Sequence, residues 1–452
     1  MIKFYKRRFL AAVVMMISSI TAIYAYDFRV DGIYYNITSD TEVEVTYRST
    51  SQAMYSGDVV IPESVTYKNV TYTVTEIGDS AFRNCDSLTS VTIPNSVTSI
   101  GDRAFWSCTS LTSVTIPNSV TSIGSYAFYY CESLTSIEIP NSVTSIGSYA
   151  FSYCTSLTSI EISNSVTSIG SYAFYNCTSL TSVKIPNSVT SIEEWAFSYC
   201  TSLTSIEIPN SVTSIEYRVF YYCTSLTSIE IPSSVTSVGD QAFYECTSLT
   251  SVKIPNSVTR IGSYSFYECT SLASVTIGNS VTSIGEKAFR GCTSLTSIEI
   301  PSSVTRIGSN AFEDCTSLTD VYSLNVTPPT CVSDVFSSST YDDATLHVPY
   351  GSLSDYDSTS PWSKFYTIEE DIDVSGIENV SVSSEDVINV ADGVISVSGF
   401  DGSVSVYGIN GAKVAATKAD GGTTEVSIPK SGVYIVKISD GKETVTKKVI
   451  VQ

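Results

Sequence analysis

Twelve cysteines and a single histidine are the residues of this 452-residue chain best able to do chemistry. Thiols can pair as disulfides, ligate a metal or act as nucleophiles. Eleven of them fall on one lattice, Cys85, Cys108, Cys131, Cys154, Cys177, Cys200, Cys223, Cys246, Cys269, Cys292 and Cys315, each 23 residues after the last. Such a lattice suits none of those uses. Stacked equivalents have parallel Cβ vectors about 4.8 Å apart, longer than a relaxed bridge requires. An odd ladder cannot pair completely, and a straight row of ligands is not a tetrahedron. The spacing therefore predicts buried, inert thiols that pack as small hydrophobes. Cys331 lies off the lattice and is assigned no role. His347 stands alone between Leu346 and Val348 in an alternating stretch. That excludes a histidine pair for a metal, and the sequence reads His347 as a solvent-facing residue rather than the centre of a Ser-His-Asp arrangement. There is no phosphate-binding glycine loop, and no two carboxylates stand out from a recurring surface series. No enzymatic activity, cofactor or metal is expected.

Two other series have the residue types for recognition. Thr92, Thr115, Glu138, Glu161, Lys184, Glu207, Glu230, Lys253, Thr276 and Glu299 recur at one position of the 23-residue period, beside a column of serines. This reads as a flat polar strip, either a solvated face whose Lys and Glu relieve one another's repulsion or a ligand-binding face. Tyrosine and tryptophan cluster near a second position, and they bury large area in interfaces at small entropic cost. The candidate ligand-binding residues are Tyr149, Tyr172, Trp195, Tyr199 and Tyr217 among the aromatics, and Glu161, Lys184, Glu207, Glu230 and Lys253 on the strip.

What must position these side chains is the repeat. In the unit running from Leu88 to Cys108, the order Leu88-Thr-Ser-Val91-Thr-Ile93-Pro94 predicts a strand over 90–93 with Val91 and Ile93 inward, closed by a proline that lacks the ladder donor. Ala104 to Cys108 reads as a single helical or 3-10 turn. Gly101 and its equivalents supply a bend, although Glu193 and Glu216 replace them in two adjacent units, so that bend does not need a glycine-only conformation. A unit alone is unstable: ordering each residue costs about 1–2 kcal/mol, whereas each of its few apolar side chains returns roughly 1.5–3 kcal/mol on burial. Stacking closes the gap by pairing strands of successive units, which implies a parallel sheet along one face and turns along the other.

The unit Ala-Phe-x-x-Cys-Thr-Ser-Leu-Thr-Ser-Ile-x-Ile-Pro-Asn-Ser-Val-Thr-Ser-Ile-Gly, repeated over about residues 57–324, resembles the BspA-like leucine-rich repeat of bacterial surface proteins. The resemblance implies a β-rich solenoid, and an association with attachment to host matrix proteins and other cells. Residues 404–414, 431–437 and 447–451 resemble the C-terminal sorting domain of the type IX secretion system. This second resemblance implies passage across the outer membrane by the type IX machinery, removal of the domain there and a solenoid left at the cell surface. An immunoglobulin-like domain that stays attached is the alternative.

The remaining segments complete the plan. Lys3, Lys6, Arg7 and Arg8 before an apolar run ending near Ala25 predict a removable secretory signal over 1–25, with no transmembrane segment in the mature chain. Open solenoid ends need covers, expected over 26–80 and 322–371 on either side of repeats at 81–321. Residues 372–452 alternate Val, Ile and polar types, with turns predicted at Asp401-Gly402, Asn410-Gly411, Gly421-Gly422 and Asp440-Gly441, as in a small all-β immunoglobulin-like sandwich. A net charge of -21 and a pI near 4.4 disfavour nucleic acid and anionic lipid as partners. The expected function is adhesin-like binding of a protein or glycan at the exterior of the outer membrane. The alternative is a structural spacer without a specific ligand. A third idea, ice binding through the Ser/Thr columns, is weakened by the charged units that interrupt them.

Overall fold

The computed structural model describes residues 26–48, 55–372, 388–391, 394–398, 401–408, 413–428, 432–439 and 444–451. The expected signal segment lies outside them. The described residues divide into two compact units, one within 1–348 and 353–369, the other within 349–352 and 370–452.

The first unit is a parallel β-solenoid. Strands such as Ser159–Glu161, Ser182–Lys184 and Ser205–Glu207 pair in parallel with each residue opposite its equivalent one period on, Ser159 with Ser182 and Glu161 with Lys184. The alternation of buried and exposed residues follows the pleat: Ile160, Val183 and Ile206 point inward between exposed neighbours. Val91 and Ile93 are buried as their spacing predicts. A second set of parallel strands, only two residues long, runs through Ser99–Ile100, Ser122–Ile123 and Ser145–Ile146. Sequence reasoning placed turns on that side. Two residues are too few to display a period, so this sheet left no alternation to detect.

Between the sheets stand columns of identical side chains. Phe82 through Phe312 stack ring on ring, at centroid distances of 5.0 Å for Phe82–Phe105 and 5.9 Å at the Phe197–Phe220 step. The lattice cysteines form the neighbouring column as buried free thiols. Cys131 Sγ donates to the Phe105 carbonyl at 3.2 Å, and Cys154 Sγ repeats this to Phe128. Burial pushes these thiols well above their ordinary range. The turn carrying them is a single one: Cys131 N–H donates to Phe128 O at 3.2 Å, and no helix follows within 81–321.

The glycine column has a packing cause. A Cβ on Gly124 would lie 2.6 Å from the Gly101 carbonyl carbon, so adjacent turns touch backbone to backbone. Where Glu193 and Glu216 enter this column, the short-strand sheet is interrupted. Its first run ends at Ser191–Ile192 and the next begins at Ser237–Val238, with an isolated bridge from Ile215 to Val238 between them. Glu193 N–H donates to Ile169 O at 3.0 Å, but among the described residues no corresponding bond joins Glu216 to Ile192.

At the start of the solenoid, Phe28–Val30, Ile33–Ile37 and Glu42–Thr46 form an antiparallel meander. Val70–Ile77 joins it in parallel and hands on to Ser99–Ile100. At the far end Asp320–Ser323 pairs in parallel with Ser297–Ile300 and with Thr345–Pro349. Phe336 continues the ring column 5.4 Å from Phe312, and buried Trp362 and Phe365 close on it edge-on. The two helices of this end, Ser338–Asp343 and Leu353–Ser358, are each six residues long. His347 corrects its sequence reading. It is buried, stacked on Tyr322 at 4.3 Å, and its Nε2 lies 3.2 Å from Asp320 Oδ1, because the strand Asp320–Ser323 packs alongside and shields it from solvent. Hydrogen bonds from Thr319 and His347 hold the Asp320 carboxyl below the usual range.

The second unit contains two antiparallel sheets, Ile388–Ala391, Val394–Ser398 and Thr423–Ser427 in one, and Lys413–Asp420, Asp401–Gly408, Gly432–Ser439 and Thr444–Val451 in the other. Ile395, Val397, Val404, Val406, Val436 and Ile438 are among its core. Gly421-Gly422 makes the predicted turn, but Asp401 and Gly402 open a strand. The Asn410-Gly411 and Asp440-Gly441 turns lie outside the described residues.

Candidate ligand-binding surface

The solenoid delivers the two recognition series to different places. Glu161, Lys184, Glu207, Glu230 and Lys253 are exposed on successive strands of the longer-strand sheet. Register puts Glu161 beside Lys184, Lys184 beside Glu207, and Glu207 beside Glu230. Among the described residues no ion pair joins any of them, so the charges of this strip are directed to solvent.

The aromatic candidates occupy the turn after the short strand, where the backbone is unusual. Tyr149, Tyr172, Trp195 and Tyr199 have φ of 58°, 59°, 62° and 59°. The left-handed region costs an L-residue about 1–2 kcal/mol, and bulky side chains are rare there. The Tyr199 position carries Asn84, Asn176 and Gly291 in other turns, which that conformation favours, whereas the position of Tyr149, Tyr172 and Trp195 carries Asn310 in one turn and Arg103, Gln241 or Lys287 in others. The aromatics offset the strain by stacking: Tyr126 on Tyr149 at 4.5 Å, Tyr149 on Tyr172 at 4.4 Å, and Tyr172 on Trp195 at 5.2 Å, all near parallel. A second row runs beside it through Tyr130 and Tyr153 at 4.3 Å and through Tyr199 and Tyr222 at 5.0 Å.

Face-to-face stacking along the axis decides what a partner meets. Each ring covers its neighbour's face, so these half-buried residues offer edges and phenol hydroxyls to solvent. The Tyr149 phenol is pushed up to about 12 by burial and by its tyrosine neighbours, which keeps it a neutral hydrogen-bond donor. Tyr172 is raised by burial and by Glu194.

Tyr217 does not join the ladder. It sits one residue earlier in its turn and meets Trp195 edge-on at 5.7 Å. The ladder position is taken by Arg218, at φ 56°, whose guanidinium lies 4.3 Å from the Trp195 ring centre. The aromatic composition pointed to Tyr217, whereas counting 23 residues from Trp195 finds Arg218. Ser163 was likewise overlooked, although it alone interrupts a run of prolines from Pro94 to Pro255 taken at the same interval.

Comparison with known proteins agrees with this architecture. The family described as BspA type Leucine rich repeat region matches residues 62–168, 121–249, 196–319 and 236–347. The Secretion system C-terminal sorting domain matches residues 383–452. A leucine-rich repeat protein from Bacteroides ovatus ATCC 8483 is similar at 30% identity over 77% of this chain and 100% of that one, with a TM-score of 0.51. A leucine rich cell surface protein from Faecalibacterium prausnitzii A2-165 matches at 28% identity over 77% of this chain and 95% of its own, with a TM-score of 0.44. For a leucine-rich repeat protein from T. pallidum the values are 29% identity, 49% and 90% coverage, and a TM-score of 0.38. No curated protein matches the chain.

Proposed function

Because this chain belongs to the BspA-type leucine-rich repeat proteins and carries a C-terminal sorting domain that indicates export and cell-surface attachment, we propose that its solenoid is an adhesin-like recognition surface for a protein or glycan outside the cell. The type IX secretion machinery is the partner that the sorting domain implies. The observation that carries the recognition reading is the aromatic ladder. Tyr149, Tyr172 and Trp195 hold left-handed backbone at a position where another turn carries Asn310, and Tyr199 does so at the position of Asn84, Asn176 and Gly291. Left-handed backbone alone favours the smaller residues, stacking offsets that cost, and the stack so formed keeps a continuous row of ring edges and hydroxyls turned outward. An ordered row of ring edges and neutral hydroxyls, fixed before any partner arrives, loses little entropy on binding.

Replacing Tyr172, Trp195 and Tyr217 together by serine should reduce adherence of cells displaying the protein to matrix proteins or to other bacteria by at least tenfold, with circular dichroism unchanged. Unaltered adherence would reject the aromatic edge as the recognition element. Removing two whole repeats provides a second check, because a spacer keeps every partner after that deletion and a recognition surface does not.

A further inference from the structure

We infer that the polar strip holds a binding site for a neutral, hydroxyl-rich oligosaccharide, centred on Ser163 between Glu161 and Asn164. This rests on the reading of the solenoid as a recognition surface and assigns a ligand class to one part of it.

Three observations converge. The first is a concavity of about 370 Å³ at the edge of the longer-strand sheet, where Glu138, Glu161 and Lys184 come from three successive strands. Its other border is made by Asn118, Asn141 and Asn164, from the turns that follow three successive strands. The second is Ser163 itself. Pro140 and Pro186 line the concavity on the flanking repeats, and a serine stands where the repeat between them would carry the third pyrrolidine ring. Ser163 is 8% exposed, and its hydroxyl has no hydrogen-bond partner among the described residues. A buried hydroxyl without a partner costs about 1–3 kcal/mol, and turning the Ser163 side chain toward a ligand hydroxyl in the notch would relieve it. The third is the state of the lining groups. The three exposed carboxamides, the two carboxylates and the ammonium make no hydrogen bond or ion pair to one another or to other described residues, so their whole capacity is open to a ligand.

The mixture selects the ligand class. Carboxamides donate and accept, carboxylates accept and the ammonium donates, which matches hydroxyls that do both. Lys184 lies beside the carboxylates and opposes a divalent cation. The two carboxylates and the net charge of -21 oppose an anionic polysaccharide. The apolar residues of the lining, Ile139, Pro140, Ile162 and Pro186, are buried, which leaves a mainly polar surface without a pocket for the anchoring apolar side chain of a protein partner. Like groups recur at the strand spacing of about 4.8 Å, so a polymer with repeating hydroxyls can engage several repeats at once.

The experiment is calorimetric titration of the full chain with soluble hexamers of glucose, mannose and N-acetylglucosamine, with hexalysine and heparin in parallel. Saturable binding of at least one neutral hexamer is expected, weakened at least tenfold by Ser163→Pro. That substitution restores the residue of the flanking repeats, and among the described residues Ser163 N–H donates no hydrogen bond that proline would forfeit. Asn164→Ala, at an exposed position, should weaken binding by a comparable factor with the fold intact. No binding of any neutral hexamer, equal affinity in Ser163→Pro, or hexalysine or heparin binding with the same sensitivity to these variants would overturn the inference. Loss of cell adherence on deleting two repeats, together with indifference to all three hexamers, would refute the oligosaccharide site and leave the recognition reading standing. Adherence unchanged by that deletion would refute the broader reading instead.

Discussion

The interior of the solenoid and its turn edge obey opposite rules. Inside, the same phenylalanine and the same cysteine recur at every lattice position, in relaxed stacks and satisfied Sγ–H to carbonyl contacts. At the edge, equivalent positions carry Ser, Arg, Tyr, Trp, Gln, Lys or Asn, all in left-handed backbone. A column admits one solution because each side chain must fit its own copy above and below. The edge touches its copies on two sides only and faces water on the third, so it can vary. Specificity of a repeat protein is therefore written where the period is least obeyed.

The largest test of this contrast is pH. The folded thiols are raised above their ordinary value of 9.0, so in the unfolded chain they ionise first. Stability is complete below about pH 9 and is lost as pH rises toward the folded values, which lie far higher for the buried column. Far-UV circular dichroism between pH 7 and 12 should show cooperative unfolding on the alkaline side. Ellipticity retained throughout would contradict the buried thiol column. Phe174→Ala comes next, with an expected cost of about 3–5 kcal/mol by denaturant titration, since a rigid stack cannot close the cavity. At the edge, Tyr172→Asn removes two stacking contacts worth roughly 1 kcal/mol each and relieves about 1 kcal/mol of left-handed strain, for a net loss near 1 kcal/mol. A loss as large as that of Phe174→Ala would erase the distinction between core and edge. The smallest effect belongs to the double change Glu193→Gly and Glu216→Gly. It restores backbone contact across the interrupted sheet and should raise hydrogen-exchange protection of residues 213–216 while changing global stability by less than about 1 kcal/mol.

Most of the interior was legible because burial and period coincide: the cysteine lattice, Val91, Ile93 and the phenylalanines all lie where spacing puts them. The edge was legible in composition only. A φ near +60° leaves no trace in the sequence when the residue is Tyr rather than Gly or Asn, and Trp195 reads as an ordinary aromatic until its backbone is seen. His347 misled because alternation in Leu346-His347-Val348 implies an outward side chain, whereas Tyr322 and Asp320 on the neighbouring strand enclose it. The second sheet escaped notice because Ser-Ile pairs are too short to alternate. Ser163 and Arg218 were visible as departures from the period, and departures from a repeat repay the same attention as the repeat.

The gap that Glu193 and Glu216 open in the short-strand sheet bears on how the molecule responds to load. Tension along the solenoid would be carried by a series of hydrogen-bonded links, and among the described residues the link from Glu216 to Ile192 is missing on that side. The turns around Glu216 should part before any others, while the longer strands Ser182–Lys184 and Ser205–Glu207 remain paired across the same step. The expected consequence is a point of give on one side of the solenoid, lengthening under tension while the two halves stay joined on the other.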